Sequence, residues 1–527
     1  MKVPANRFTI FGLIVLALVA LWAVARLSKP VTVSAAQPPA ALRTAEVSTS
    51  LRGCPAPGLP GSRSQGVAVI AAAARSGSGR ATISRLAAAG SATTTPLVSV
   101  SQPGTLSLSA VSAAPAAPTA GNGSSGKTSS GKSTSGKSSS SKSTSAKTST
   151  SSDAPVGQPG GVMVQASGSM AQGLAAEQTS GGLVTAGCGS PGTDFWFTAP
   201  GQQTTSSIKL YLMNVDDQPT DVDVDIVTDT GPLQGGTDTG ITVPPHGLIV
   251  QSLAGLLHNS RAIGLHVRTT VGRVVAALNE GSTASQPGGW LPPEQAPAQR
   301  LVIPGMPGSN GSRDLYVADP DGSDASVTLS VVSSGGTYQP TGAGSINIPA
   351  GSASRLQLPS LSGIAGAAVL TSSVPVFAAV MVPGGPAGAP GALVPASPGI
   401  QEQGVIADVG QTRDTATLVL SAPGAAARVR LATGASSLTP GGQGGSPQVV
   451  PVPAKHSVVV HVTRPHGVSS GAGFAIVLTP LPGSGPVYAG RVLAAPNGTV
   501  FGVLPVASAL TTVPLPGVRD SLVTVAP

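Results

Sequence analysis

Three short segments of this 527-residue chain echo one another at a long and nearly fixed interval. Leu210-Tyr-Leu-Met-Asn-Val returns as Leu315-Tyr-Val-Ala-Asp-Pro and then as Leu418-Val-Leu-Ser-Ala-Pro, 105 and 103 residues apart. Each is followed by a second apolar segment, around Val222, Val327 and Val429. A hydrophobic-Pro turn comes next: Val243-Pro-Pro-His-Gly, Ile348-Pro-Ala-Gly-Ser and Val452-Pro-Ala-Lys-His. A closing segment ends each copy: Arg273-Val-Val-Ala-Ala, Pro375-Val-Phe-Ala-Ala and Pro486-Val-Tyr-Ala-Gly. A looser copy, Met170-Ala-Gln-Gly-Leu-Ala, precedes them and suggests an earlier unit around 50–185. Such periodicity means one supersecondary unit built several times.

The repeated segments alternate with period two. In Asp221–Val227 the residues Val222, Val224 and Ile226 fall on one face and Asp221, Asp223 and Asp225 on the other. That is the pattern of a half-buried strand. With 69 Gly, 49 Pro and only 9% charged residues, long solvated helices are disfavoured and short strands joined by turns are favoured. The 40% apolar content argues against a fully disordered chain. Helical periodicity is nearly absent outside the N-terminus, with Ala81–Ala89 and Ser252–Leu257 as candidates for single helical turns. The expected fold class is all-β: tandem immunoglobulin-like β-sandwich modules of about seven strands, after one N-terminal transmembrane helix. A propeller is the structural rival, but a four-stranded blade usually needs only about 40–50 residues.

The N-terminus sets the compartment. Lys2 and Arg7 precede an apolar run from Phe8 to Ala25, and Arg26 and Lys29 follow it. Eighteen helical residues span roughly 27 Å, near the thickness of a hydrocarbon core. An uncleaved signal-anchor is expected, with the remainder of the chain outside the cytoplasm; Ala23-Val24-Ala25 offers the alternative of cleavage. Two cysteines, Cys54 and Cys188, then imply one disulfide in an oxidising exterior. It would be worth up to ~5 kcal/mol in the chain-entropy model. Between the two cysteines, residues 121–152 hold twenty Ser or Thr, and Lys127, Lys132, Lys137, Lys142 and Lys147 recur every five residues. Such a tract cannot bury enough to offset chain entropy and is expected to be a disordered insertion in the first module.

The residues so far assembled resemble a family. Cys54-Pro55, Ala171-x-x-Leu174-Ala175-Ala176-Glu177, and Cys188-x-x-Pro191 followed by Trp196-Phe197 are similar to an uncharacterised actinobacterial family, the domain of unknown function 5719. So are Trp290-Leu291-Pro292, Val302-Ile303-Pro304-Gly305 and Val374-Pro375-Val376-x-Ala378. The likeness runs over about 45–505, and the Ser/Lys insertion departs from it. It implies an exported, membrane-attached envelope protein of β-sandwich modules with no assigned activity.

Signatures of chemistry are sparse. No Gly-x-Ser-x-Gly nucleophile elbow is present. His246 stands where the next module has Gly351, which marks a turn position. His456, His461 and His466 recur every five residues, an interval that alternates the faces of a strand and fits no helical zinc pair. Asp319-Pro-Asp321-Gly-Ser-Asp324 has its Gly at position four, unlike an EF-hand loop, and reads as a turn. Glu177, Glu280, Glu294 and Glu402 lie near module ends, and a glycosidase would need two of them flanking a cleft. Trp196 and Trp290 sit at module junctions, where packing is the ordinary role of a Trp and sugar stacking the sharper one. Residues 1–152 carry fifteen basic side chains and one acid, whereas 153–527 carry fourteen basic and twenty acidic. The basic excess lies beside the membrane segment, with few aromatics for base stacking, so no nucleic-acid partner is expected.

The sequence therefore predicts a non-enzymatic, single-pass cell-membrane protein with its bulk extracytoplasmic, no cofactor, and an envelope protein or anionic wall polymer as partner. The alternatives are a carbohydrate-binding array and, more remotely, an envelope hydrolase. The expected layout is a cytoplasmic tip and anchor (1–30), a tether (31–50), and modules at 51–187, 188–284, 301–383 and 401–507. Linkers are expected at 285–300 and 384–400, and a C-terminal tail at 508–527.

Overall fold

A computed structural model describes residues 15–23, 43–55, 65–71, 78–86, 95–100, 105–109, 161–180, 183–201, 207–233, 240–253, 255–257, 259–280, 289–361, 363–383, 391–409, 416–435, 445–466, 468, 474–494 and 500–515. The Ser/Lys insertion lies outside them, as does the start of the expected anchor. The chain is nearly all β. Two compact units emerge, one of residues 46–511 and a smaller one of the two chain ends. In the smaller unit Val15–Ala23 is helical, and a strand from the expected tether, Arg43–Glu46, pairs with one from the expected tail, Thr512–Leu515.

Within 46–511 one strand pattern occurs four times among the described residues. Its sets span 49–187, 194–291, 298–395 and 404–505. Each set has two antiparallel sheets. In the second set, the first sheet orders Asp194–Pro200, Ala262–Val271 and Thr220–Thr228, with Ile241–Val243 and Gly231–Pro232 on the outer edge. Its second sheet orders Leu248–Ser252, Ile208–Met213, Val275–Glu280 and Gly289–Leu291. In the third set the strand Gly366–Val382, 17 residues long, runs through both sheets.

The repeated signatures mark equivalent strands. Leu210, Leu315 and Leu418 lie in Ile208–Met213, Arg313–Ala318 and Ala416–Ala422. The hydrophobic-Pro turns share one geometry. His246, Gly351 and Lys455 have φ of 49°, 62° and 61°. In each turn the next residue's N–H donates to the first Pro carbonyl, at 3.0, 3.1 and 3.2 Å. A left-handed third residue is what a type II turn demands. The alternation of 221–227 also holds: Val222, Val224 and Ile226 are buried and the three Asp are not.

Each pair of sheets shares one apolar core. In the second set Phe195, Phe197, Leu210, Leu212, Val224, Leu265 and Leu278 meet in it. The pairing order differs from the immunoglobulin one, in which the first and second strands are neighbours; here the first strand pairs with the third from last, as Asp194–Pro200 does with Ala262–Val271. Several local expectations are corrected. Gly79–Arg85, which takes in the start of the expected helical turn Ala81–Ala89, is a strand, because Ala81 and Ile83 bury on one face. Ser252–Leu257 holds a strand end and a turn closed by Leu256 N–H on the Leu253 carbonyl at 3.0 Å. The expected linkers contain strands: Gly289–Leu291 pairs with Val275–Glu280, and Ala392–Pro395 with Gly366–Val382. The next set also begins inside the first linker, at Ala298.

The sets are not beads on a string. The first sheet of each packs on the second sheet of the next. Leu51 and Met163 meet Met213 and Val275. Phe377 and Ala318 join the core of the second set. Val419, Val492 and Val503 join that of the third. There Gly305 (φ 79°) crosses Gly490 so closely that an added Cβ would lie 2.7 Å from the Gly490 Cα. The fourth set then packs on the first, through Val405, Ala475 and Val477 against Ala175. The last strands of the sets, Leu183–Gly187, Gly289–Leu291, Ala392–Pro395 and Val500–Pro505, touch one another in the same cyclic order. Closure of this kind protects sheet edges, as in a propeller, but the strands do not run as a meander.

The closing contact is polar. Arg491 donates to both Glu177 oxygens at 3.2 Å and to the Asp408 carbonyl, and the Asp408 N–H donates to Glu177 at 3.0 Å. Arg491 is 1% exposed. Burial pushes the Glu177 carboxyl above the usual range even with Arg491 beside it. Removing one partner of such a pair strands the other in low dielectric, at a cost of about 3–5 kcal/mol. Arg491→Met and Glu177→Leu are each expected to destabilise by that order in urea unfolding, and the double variant by clearly less than their sum.

Candidate functional site

Every predicted site residue has a place. Cys54 and Cys188 are bonded, with Cα atoms 4.5 Å apart. Their neighbours Gly53 and Gly189 exchange backbone hydrogen bonds of 2.8 and 3.0 Å. The bond sits where the first set gives way to the second. His246 Nε2 meets Asp217 at 2.7 Å in its turn. His456 and His461 occupy the two ends of the strand His456–His461, and His466 follows in a turn. No cluster of metal-ligating side chains occurs among the described residues.

Three of the four candidate glutamates make structural bonds. Glu177 binds Arg491. Glu402 accepts from the Thr511 N–H and hydroxyl at 2.6 and 2.5 Å. Glu294 accepts from the Thr198 hydroxyl at 2.7 Å and from the Thr198 N–H, while its own N–H donates to the Trp196 carbonyl at 2.9 Å. Burial pushes the Glu294 carboxyl up to about 8, against these donors. It therefore enters neutral solution as a carboxylic acid.

A groove opens between the second and third sets. Its cavity volume is about 730 Å³. One wall is the first sheet of the second set, with Trp196, Val224, Ile226, Val227, Gly264 and His266. The opposite wall comes from the third set, with Pro320, Asp321, Gly351, Pro375 and Phe377; Pro232, Leu233 and Pro297 complete it. Adjacent residues on a strand face opposite ways, so Phe195 and Phe197 enter the core while Trp196 and Thr198 face the third set.

The Trp196 indole is not an open platform. His266 stacks on it at 3.7 Å between centroids, with planes 7° apart, and Phe377 meets it at 5.0 Å, tilted by 60°. His266 is held in turn by Asp194 at 2.8 Å and faces Asp225 at 3.9 Å, which also meets Arg268 at 3.4 Å. The packing role weighed for Trp196 in the sequence is the one it performs. Trp290 likewise packs against Tyr211, at 4.8 Å.

Two turns of the third set build the far rim. Asp319, fully buried, accepts the Asp321 N–H at 2.8 Å, and its own N–H donates to the Ser352 carbonyl at 2.9 Å. Asp324 accepts the Ala350 N–H at 2.9 Å. Burial raises the Asp319 carboxyl above its ordinary range. Asn214, one repeat earlier, makes the same local bond to the Asp216 N–H at 2.9 Å. The Asp-rich segment is thus a turn, as read from the sequence, and it sets Asp321 at the groove. The acidic residues of the lining are Asp225, which is already met by Arg268, and Asp321.

A closed set of β repeats, bound by one disulfide and by buried carboxyl groups at its seams, defines the class of protein. The chain belongs to the family of unknown function DUF5719, which it matches over residues 139–463. That span covers the second and third sets and most of the groove's surroundings, and it is narrower than the stretch over which the motifs had suggested a likeness. No curated protein and no solved structure matches the chain.

Glu294 gives this site a pH signature. Unfolding returns its carboxyl to an ordinary value near 4.5, so between there and about 8 only the unfolded chain releases the proton. Stability therefore falls as pH rises through that window and levels off above it. Glu294→Gln, which keeps an acceptor for Thr198, should flatten the fall. Melting temperatures measured at about pH 5 and about pH 8 would show this, the wild type losing more than the variant.

Proposed function

We propose that this is an exported, membrane-anchored envelope protein whose repeats act as a non-enzymatic binding platform, and that the groove between the second and third sets receives a segment of a protein partner. Each repeat is read as a β-sandwich module, two sheets over one core. The observation that carries the binding role is the chemistry of the groove: apolar and proline-lined walls, with the exposed Asp321 on its rim. Such a surface suits an apolar segment bearing a basic side chain, since the apolar walls supply affinity and Asp321 orientation.

Export is supported by the Cys54–Cys188 bond, which persists in oxidising compartments. Anchoring is supported by Val15–Ala23, whose Leu16, Leu18, Leu21 and Trp22 are more than 60% exposed. No helix among the described residues is itself long and apolar enough to cross a membrane; the proposed span of 8–25 includes residues outside them. An anionic wall polymer remains the second partner in view, on the strength of the basic N-terminal third. A carbohydrate-binding array is disfavoured, because the groove's indole is already covered by His266 and Phe377. The hydrolase reading has lost Glu177, Glu294 and Glu402 to structural bonds.

Crosslinking in the intact envelope followed by mass spectrometry tests the proposal. One reproducible protein neighbour is expected. Asp321→Lys, a change at an exposed rim position, should cut its recovery several-fold and leave the melting temperature unchanged. Saccharide adducts alone, or capture indifferent to Asp321, would overturn the protein-segment reading.

A further inference from the structure

The turn that carries Asp319 in the third set has a counterpart in the second, residue for residue. Residues 214–220 and 319–325 each lead from one strand to the next, and Thr220 pairs with Val243 as Ala325 pairs with Ile348. The first side chains of the two turns are held alike. Asn214 Oδ1 accepts the Asp216 N–H at 2.9 Å, and Asp319 Oδ1 accepts the Asp321 N–H at 2.8 Å. The other arm of Asn214 is an amide nitrogen. It donates to the Gln218 carbonyl at 2.7 Å and to the Val243 carbonyl at 3.1 Å. The third set has Ser323 and Ile348 at those two places. There the donor is replaced by Asp319 Oδ2, an oxygen that is buried and has no hydrogen-bond partner among the described residues. An ionised carboxylate only accepts, so it cannot satisfy carbonyl oxygens as the amide does. Something positive has to lie between them.

The other charges of the turn change in the same direction. In the second set Asp216 meets Arg273 at 2.7 Å and Asp217 meets His246 at 2.7 Å. The third set keeps an acid at the first place, Asp321, but has Pro375 where Arg273 stood. The strand register fixes that match, since Met213 faces Val275 and Ala318 faces Phe377. Gly322 and Gly351 replace the second pair, and Asp324 stands where the second set has Pro219. The amide, the guanidinium and the imidazole are thus all replaced, while Asp319, Asp321 and Asp324 crowd one short turn. The charged groups that act on the Asp319 carboxyl, Asp321 and Asp324, are both negative. Buried charges are paired or coordinate metals.

We propose that this turn binds a calcium ion, held by Asp319 Oδ2 and the carbonyls of Ser323 and Ile348, in the place that the Asn214 amide nitrogen takes in the second set. Asp324, bonded through one oxygen to the Ala350 N–H, lends its charge from the far side of the turn. The donor set selects the ion. Carboxylate and carbonyl oxygens are hard ligands, and the exposed residues 321–324 leave room for waters to complete six to eight contacts. Magnesium demands a stricter octahedron than an irregular turn supplies. A proton on Asp319 would bridge one pair of oxygens and leave Asp321 and Asp324 unmatched. The anchor is one buried carboxylate with backbone oxygens, not a trio of converging side chains. Affinity therefore falls in the weak extracellular range, a dissociation constant of about 10⁻⁴–10⁻³ M. Neither Asp319 nor Asp324 lines the groove, so the site is independent of what the groove receives.

The test uses the full chain in detergent, stripped with EGTA. Calcium chloride at about 10 mM is expected to raise the melting temperature by about 1 °C or more, and magnesium chloride by clearly less. Asp319→Asn restores the amide of the second set. That variant should fold, melt in EGTA at or above the native temperature, and show no calcium shift. Equilibrium dialysis against radioactive calcium should find one ion fewer per chain in Asp319→Asn, and several-fold weaker binding in Asp324→Asn. An Asp319→Asn chain that binds calcium as the native one does, or a magnesium shift equal to that of calcium, overturns the proposal. So does a native chain that ignores calcium and loses stability relative to Asp319→Asn only as pH rises, since a proton then takes the ion's place.

Discussion

One buried ion pair joins residues 314 positions apart and makes the last repeat a neighbour of the first. Apart from Arg491 on Glu177, the fourth set meets the first through a small patch of Val and Ala, the contact of their last strands and the Gly173 N–H on the Leu510 carbonyl. A buried pair of this kind adds little net stability, because desolvation cancels much of the attraction. Its effect is on choice of partner. A sheet face of small apolar residues fits many others, whereas a guanidinium that finds two carboxylate oxygens and a carbonyl fits one. The same logic recurs at the seam between the second and third sets, where Glu294 caps Thr198. The apolar cores make each set; the buried carboxyl groups decide which sets meet.

The repeat itself was legible because turn chemistry is local. Val243-Pro-Pro-His, Ile348-Pro-Ala-Gly and Val452-Pro-Ala-Lys share a proline and a left-handed third position, and these survive large changes in side chain. Alternation in Asp221–Val227 was legible for the same reason, since one sheet face is core. The Gly- and Pro-rich junctions were misread as linkers. Gly289–Leu291 and Ala392–Pro395 are three and four residues long, too short to show a period, and their partners supply the order. Cyclic closure left no local trace either. Glu177 and Arg491 look like ordinary strand residues until the strands that carry them are brought together.

The groove shows why candidate sites are harder to read than folds. Its walls come from Trp196 and His266 on one set and from Asp321 and Phe377 on the next. No spacing in the chain links the two walls. What the sequence did offer was the turn that aims Asp321, through the buried Asp319 that fixes it. The role of Trp196 was also within reach, because a Trp at a repeat junction usually packs. It stacks on His266 and leaves the groove walled by rings already engaged.

The disulfide has a topological result. Cys54 and Cys188 bracket nearly the whole first set, including its long Ser/Lys insertion. A protease that cuts anywhere between them severs the main chain but frees no fragment, because the sulfur bridge still carries the load from the N-terminal stem to the other three repeats.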